Sequence, residues 1–123
     1  MLTTTVITHK QKKIVYMDFR GIKLAENKAQ TLELIAQSEK LFAKSPQKSV
    51  MALTNVEDSE FDIDLIQRMR EFTKHNTPYI KKSAIVGVKG IQKTVYQAVE
   101  FFSKRTIPVF DNEEDAKDWL VVD

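Results

Sequence analysis

The reading of this chain turns on residues 83–102, Ser83-Ala84-Ile85-Val86-Gly87-Val88-Lys89-Gly90-Ile91-Gln92-Lys93-Thr94-Val95-Tyr96-Gln97-Ala98-Val99-Glu100-Phe101-Phe102. Ala84 to Val88 is a continuous apolar run rich in β-branched residues and too short for an ordinary helix. Such a run suits a strand covered on both faces of a sheet. Gly87 and Gly90 punctuate it, and Ile91, Val95, Ala98, Val99 and Phe102 then fall on one helical stripe. Strand, glycine turn and helix together make the repeating unit of an α/β domain.

On the amino-terminal side the same alternation recurs. Leu2 to Thr8 is β-branched and reads as an edge strand; His9 to Lys12 turns the chain back into a strand running from Lys13 to Phe19, which Arg20-Gly21 ends. Leu24 to about Ala43 carries a helical period, with Ala25, Ala29, Leu32, Ile35, Ala36 and Phe42 as its apolar face. Ser45-Pro46 stops that helix. Ser49 to Thr54 is the next strand, Asn55 to Ser59 a polar loop, and Asp62 or Asp64 the cap of a second helix. Leu65, Ile66, Met69 and Phe72 form its stripe, and Asn76-Thr77-Pro78 closes it.

On the carboxy-terminal side, Thr106 to Phe110 reads as a short strand interrupted by Pro108, which belongs at a sheet edge where one missing donor is tolerated. Asp111 is expected to cap a final helix, with Glu114 three residues on and Ala116, Trp119 and Leu120 docking it. The fold class expected is α/β: a mixed, mostly parallel sheet of about five strands, an N-terminal hairpin and about four flanking helices. Neither a repeat nor a linker divides residues 1–123, so they are expected to form one domain.

The composition narrows the function. With 123 residues, 42% hydrophobic and 29% charged, the chain has the make-up of a soluble globular protein. No apolar run approaches the ~20 residues of a membrane span, so no transmembrane segment is expected. The Thr-rich start lacks the layout of a signal peptide. Cysteine is absent, which removes disulfides and thiolate metal sites and fits a cytoplasmic protein. A net charge of +2 with acids and bases interspersed argues against a nucleic-acid partner.

In a parallel sheet, ligands sit beyond the carboxyl ends of the strands, and two candidate groups fall there. Gly87, Lys89, Gly90 and Lys93 could present backbone donors and positive charge to an anion at a helix start, although Gly90 also serves a plain tight turn. They lack the full phosphate-loop and dinucleotide spacings. Thr54, Asn55, Asp58 and Ser59 form a candidate interaction or phosphorylation loop; a phosphoserine at 59 would gain from the helix dipole, but Glu57, Asp58 and Glu60 crowd it with like charge. His9 and His75 stand in no ligand spacing, so no metal is expected, and His75 suits the C-terminus of the second helix as a cation. Asp18 reads as a surface or capping carboxylate. Ser59, His75 and the scattered acids make no nucleophile–base–orienter set, so no catalytic residue and no cofactor is expected. Phe101, with Tyr96, is left over from the helical stripe as an apolar shoulder, partner patch or pocket wall.

With these segments placed, the chain resembles the SpoIIAA-like family of small STAS/SEC14-type proteins from about Lys13 to Leu120. Three stretches carry the resemblance: Lys48-Ser49-Val50-Met51-Ala52-Leu53-Thr54-Asn55-Val56; Pro78-Tyr79-Ile80-Lys81-Lys82-Ser83-Ala84-Ile85-Val86-Gly87-Val88-Lys89-Gly90-Ile91-Gln92-Lys93; and Phe110-Asp111-Asn112-Glu113-Glu114-Asp115-Ala116-Lys117-Asp118-Trp119-Leu120. The resemblance implies a STAS-like fold and a non-enzymatic regulatory module acting through a protein partner, with a homodimer as one form of it. It also implies two alternatives. One is a phosphorylation-switched protein of the anti-sigma-factor-antagonist type; those proteins carry Asp-Ser-Ser-Gly where this chain has Asp58-Ser59-Glu60-Phe61. The other is a SEC14-like binder of a lipid or other apolar small molecule, whose cavity would compete with the only core at this length. A receiver domain shares the alternating pattern but needs a phosphoacceptor aspartate after the central strand, where Leu53-Thr54-Asn55 offers none.

Overall fold

A computed structural model of the protein describes residues 2–88 and 107–122. The chain opens with a hairpin of β1 (Thr3–His9) and β2 (Lys12–Asp18), followed by α1 (Leu24–Ala43), β3 (Val50–Asn55) and α2 (Ile63–Asn76). A single 3-10 turn over Thr77–Tyr79 leads into β4 (Ile80–Val86), and β5 (Val109–Phe110) and α3 (Glu113–Leu120) complete the described residues. The strands lie in the order β1-β2-β3-β4-β5. β1 is antiparallel to β2, and every later pairing is parallel.

Side chains alternate across this sheet and build two cores. Val50 and Ala52 of β3, with Met17, Phe19 and Ile80, pack against Ile35 and Phe42 of α1 and Leu65, Met69 and Phe72 of α2. Leu53, one residue out of phase, lies on the opposite face with Ile14, Ala84 and Val86, beneath Ala116 and Leu120 of α3. The period-two alternation of β3 is what divides its residues between the two layers.

The expected strand at 84–88 begins earlier, because Ile80 already pairs with Val50. The polar stretch Lys81-Lys82-Ser83 conceals the start. Lys81 is exposed, while the Lys82 ammonium lies 4.4 Å over the Trp119 ring and donates to the carbonyls of Trp119 and Val122. Lys82 thereby adds a cation at the carboxyl end of α3, where carbonyls outnumber amide partners. Ala84, Val86 and Gly87 are buried as the run suggested, with Ile85 and Val88 partly covered. The helix expected from Ile91 to Phe102, with Tyr96 and Phe101, lies outside the described residues.

The expected face of α1 also needs correction. Ala25, Ala29 and Ala36 are exposed, and the buried residues are Thr31, Ile35, Ser38 and Phe42. The two hydroxyls can enter the core because each donates to the carbonyl four residues back, Thr31 to Asn27 and Ser38 to Leu34, both at 2.8 Å. Of the two caps expected for α2, Asp62 is the one used: it accepts from the Leu65 amide at 2.8 Å. α3 starts one residue later than expected. Asn112 is its cap, accepting from the Asp115 amide at 2.9 Å, and Asp111 stays exposed outside the helix. Of the strand expected over 106–110, Thr106 lies outside the described residues, and among 107–110 Val109 and Phe110 pair with β4. Pro108 still serves the sheet edge through its carbonyl, which accepts from the Ile85 amide at 3.0 Å. Among the described residues no helix is long and apolar enough to cross a membrane.

Candidate functional site

The carboxyl ends of β2, β3 and β4 converge on a rim made of the loops that leave them. Backbone bonds knit it: Phe19 N–H to Asn55 O and Gly21 N–H to Glu57 O at 2.9 Å, and Val56 N–H to Val86 O at 3.0 Å. Gly87 takes φ +91°, and a Cβ there would stand 2.6 Å from the Glu57 amide nitrogen. Glycine is therefore required for the close approach of the two loops. Gly87 and the 54–59 loop, read separately from the sequence, are in this way one feature. Lys89, Gly90 and Lys93 lie outside the described residues.

The expected loop at 54–59 begins later, since Thr54 and Asn55 are the last paired residues of β3, and the side chains of this stretch divide into structural and outward groups. Asn55 is only 2% exposed; its Nδ2 donates to Glu113 Oε2 at 2.7 Å and its Oδ1 accepts from the Glu57 amide at 3.0 Å. Ser59 is 8% exposed, donating its hydroxyl to the Phe19 carbonyl and accepting from the Ile22 amide at 3.0 Å. Phosphorylation of Ser59 would remove the proton it donates to Phe19, at a side chain with almost no exposure. Thr54 faces the other way, toward the α2 layer. Asp58, at φ +58°, is exposed together with Glu57 and Glu60. Ile63 opens α2 directly beyond them and is 84% exposed.

Beneath the rim, Glu113 in the first turn of α3 gathers two elements of the sheet. Tyr16 of β2 donates its hydroxyl to the same Oε2 that accepts from Asn55. Partial burial pushes the Glu113 carboxyl up, but the hydrogen bonds from Tyr16 and Asn55 and the charges of Lys117 and Arg20 outweigh it and hold the group below the usual glutamate range. Burial, then the bond to Glu113, pushes the Tyr16 phenol up. Glu113 is thus an ionised acceptor and Tyr16 a neutral donor. Of the two roles expected for Asp18, surface or capping carboxylate, the first is corrected: it is 7% exposed, accepts from the Arg20 amide at 3.2 Å and takes a two-pronged ion pair from Arg20, Nε and Nη2 each at 2.8 Å. That bond holds its carboxyl below the usual aspartate range. Tyr16 and Glu113 carry no joint signal in the sequence because they stand 97 residues apart; the available signal was a tyrosine near a strand end and an acid opening the last helix.

Between α2 and the sheet lies an apolar cavity of about 70 Å³. Met17, Ala52, Phe42, Met69 and Phe72 line it, along with Val88 and Ile107, the described residues that flank 89–106. Thr73 and Asn76 bring polar atoms to its α2 wall. The Thr73 hydroxyl bonds to the Met69 carbonyl at 2.9 Å, and Asn76 Oδ1 lies 2.9 Å from Nδ1 of His75, in the last turn of α2.

A mostly parallel five-stranded sheet with an antiparallel first strand and helices on both faces defines a STAS-like α/β protein. Residues 14–121 match the family model described as SpoIIAA-like, and the chain belongs to that family. Among solved structures it is similar to an uncharacterised protein with a SpoIIAA-like fold from Shewanella loihica PV-4, with a TM-score of 0.70 and 14% identity, covering 97% of this chain and 93% of that one. It is also similar to an anti-sigma-factor antagonist (STAS) domain protein from Planctomyces limnophilus, with a TM-score of 0.65 and 13% identity, covering 98% of this chain and 99% of that one. At these identities the likeness is one of fold. No curated protein matches the sequence.

Proposed function

We propose that this SpoIIAA-like protein is a single-domain, cytoplasmic, non-enzymatic module that works by binding a protein partner through the rim at the carboxyl ends of its parallel strands. The carrying observation is the Ile63 side chain, 84% exposed at the first position of α2, beside Asp64 in the chain and a few residues after the exposed Glu57 and Asp58. A large exposed apolar side chain with charged residues near it in the chain is the composition of a protein contact, with the apolar residue supplying affinity and the charges orientation. The buried rim residues Asn55 and Ser59 support this surface from beneath. Their replacement would test folding, so the contact is best probed at outward positions. Affinity capture with the wild-type chain and with an Ile63→Lys, Asp58→Lys double variant tests the reading. A partner recovered by the first and lost by the second is expected; equal recovery would refute it. If the partner is a second copy of the chain, sedimentation velocity shows the dimer directly and its loss in the double variant.

A second reading is favoured by the apolar cavity beside α2: the protein binds a small apolar molecule there. A cavity of about 70 Å³ is smaller than the ~150 Å³ engineered space that admits benzene, so a lipid chain would require the walls to move apart. Native mass spectrometry of the purified protein separates the readings, because a bound apolar ligand adds a defined mass.

A further inference from the structure

We propose that the seam between the β1–β2 turn and α3 is a binding site for a divalent transition-metal ion, held by His9, Glu114 and Asp118. The donor atoms of these three side chains all lie within 4.8 Å of one another. His9 Nε2 stands 2.7 Å from Asp118 Oδ1, and Glu114 is four residues before Asp118, so both carboxylates project from one side of α3. The two elements are fixed on each other by a separate bond, Lys12 Nζ to the Val121 carbonyl at 2.8 Å. The three donors are therefore not brought together by their own attraction alone.

One imidazole and two carboxylates, with water completing the shell, suit zinc or cobalt(II); an imidazole donor disfavours magnesium and calcium, which take oxygen. The charged group in competition is Lys10, whose ammonium lies 2.9 Å from the same Asp118 oxygen. Its side chain is 62% exposed and can swing into solvent when an ion arrives. His9 and Asp118 stand 109 residues apart, which is why ligand spacing in the sequence gave no sign of the site.

The test is calorimetric titration of the tag-free, chelator-treated full chain with zinc chloride, paralleled by the visible absorption of bound cobalt(II). One ion per chain is expected. His9→Ala should weaken binding at least tenfold, and His75→Ala should leave it unchanged, since His75 is the other histidine and lies in α2. Lys10→Ala should tighten binding severalfold by removing the competing ammonium, an effect that loss of structure could not produce. Absence of binding at millimolar zinc, or a His9→Ala affinity equal to wild type, would overturn the site.

Discussion

At the residue scale, the rim depends on a few side chains with no freedom to change. Gly87 combines φ +91° with a Cβ position 2.6 Å from the Glu57 amide, whereas Gly21 at φ +70° has open space around it. Both alanine variants incur the left-handed penalty of about 1–2 kcal/mol, but only Gly87→Ala must also push a backbone aside. In urea denaturation Gly87→Ala is expected to lose roughly 1 kcal/mol or more beyond Gly21→Ala; equal losses would mean the two loops do not meet as described. Ser59→Ala strands the buried Ile22 amide, which should cost about 1–3 kcal/mol, read from the same unfolding curves. A neutral result would return Ser59 to the surface and reopen it as a phosphoacceptor.

At the element scale, α1 and α2 are clamped by Glu39 and Arg68, paired through two bonds of 2.8 and 2.6 Å with both side chains mostly covered. The hydrogen bond from Arg68 holds the Glu39 carboxyl below its usual range. A carboxyl held low in the native state stabilises fully above its ordinary value and loses that contribution as pH falls through the lower native one. The stability gap between wild type and Glu39→Gln, roughly 1 kcal/mol or less at neutral pH, should therefore close as pH drops below about 4.3. A gap that stays constant down to pH 3 would contradict the clamp. The hairpin offers the opposite kind of test. Lys10 and Gln11 sit at φ +49° and +69°, the pair of positive angles that a two-residue turn fills best with Asn-Gly. Lys10→Asn with Gln11→Gly should raise the melting temperature by a few degrees, and a fall would show that the turn is not strained.

The same elements show what the sequence could disclose. α1 was legible end to end, and the cap of α2 down to Asp62 or Asp64, because periodicity and capping are local signals. The faces were less so: Thr31 and Ser38 look polar in the sequence, and only their bonds to the preceding turn make them core residues. Asp111 and Asn112 are adjacent residues of the same capping type, and the approach of the Asp115 amide decided for Asn112. The Tyr16–Asn55–Glu113 knot was invisible because each member is unremarkable until the parallel pairing and α3 bring their oxygens and nitrogens together.

At the scale of the whole molecule, the two helix layers divide the work. Among the described residues, α1 and α2 pack on the face of the sheet that holds the apolar cavity and α3 on the other, and Glu57, Asp58 and Ile63 are exposed beyond the strand ends. Ile63 has a natural control in Val122, an exposed apolar residue just past the end of α3. With the captured partner purified, the dissociation constant of Ile63→Lys against that of Val122→Lys tests the proposed contact most directly. Ile63→Lys is expected to weaken binding tenfold or more and Val122→Lys to leave it within twofold; an unchanged constant for Ile63→Lys would refute a contact at Ile63.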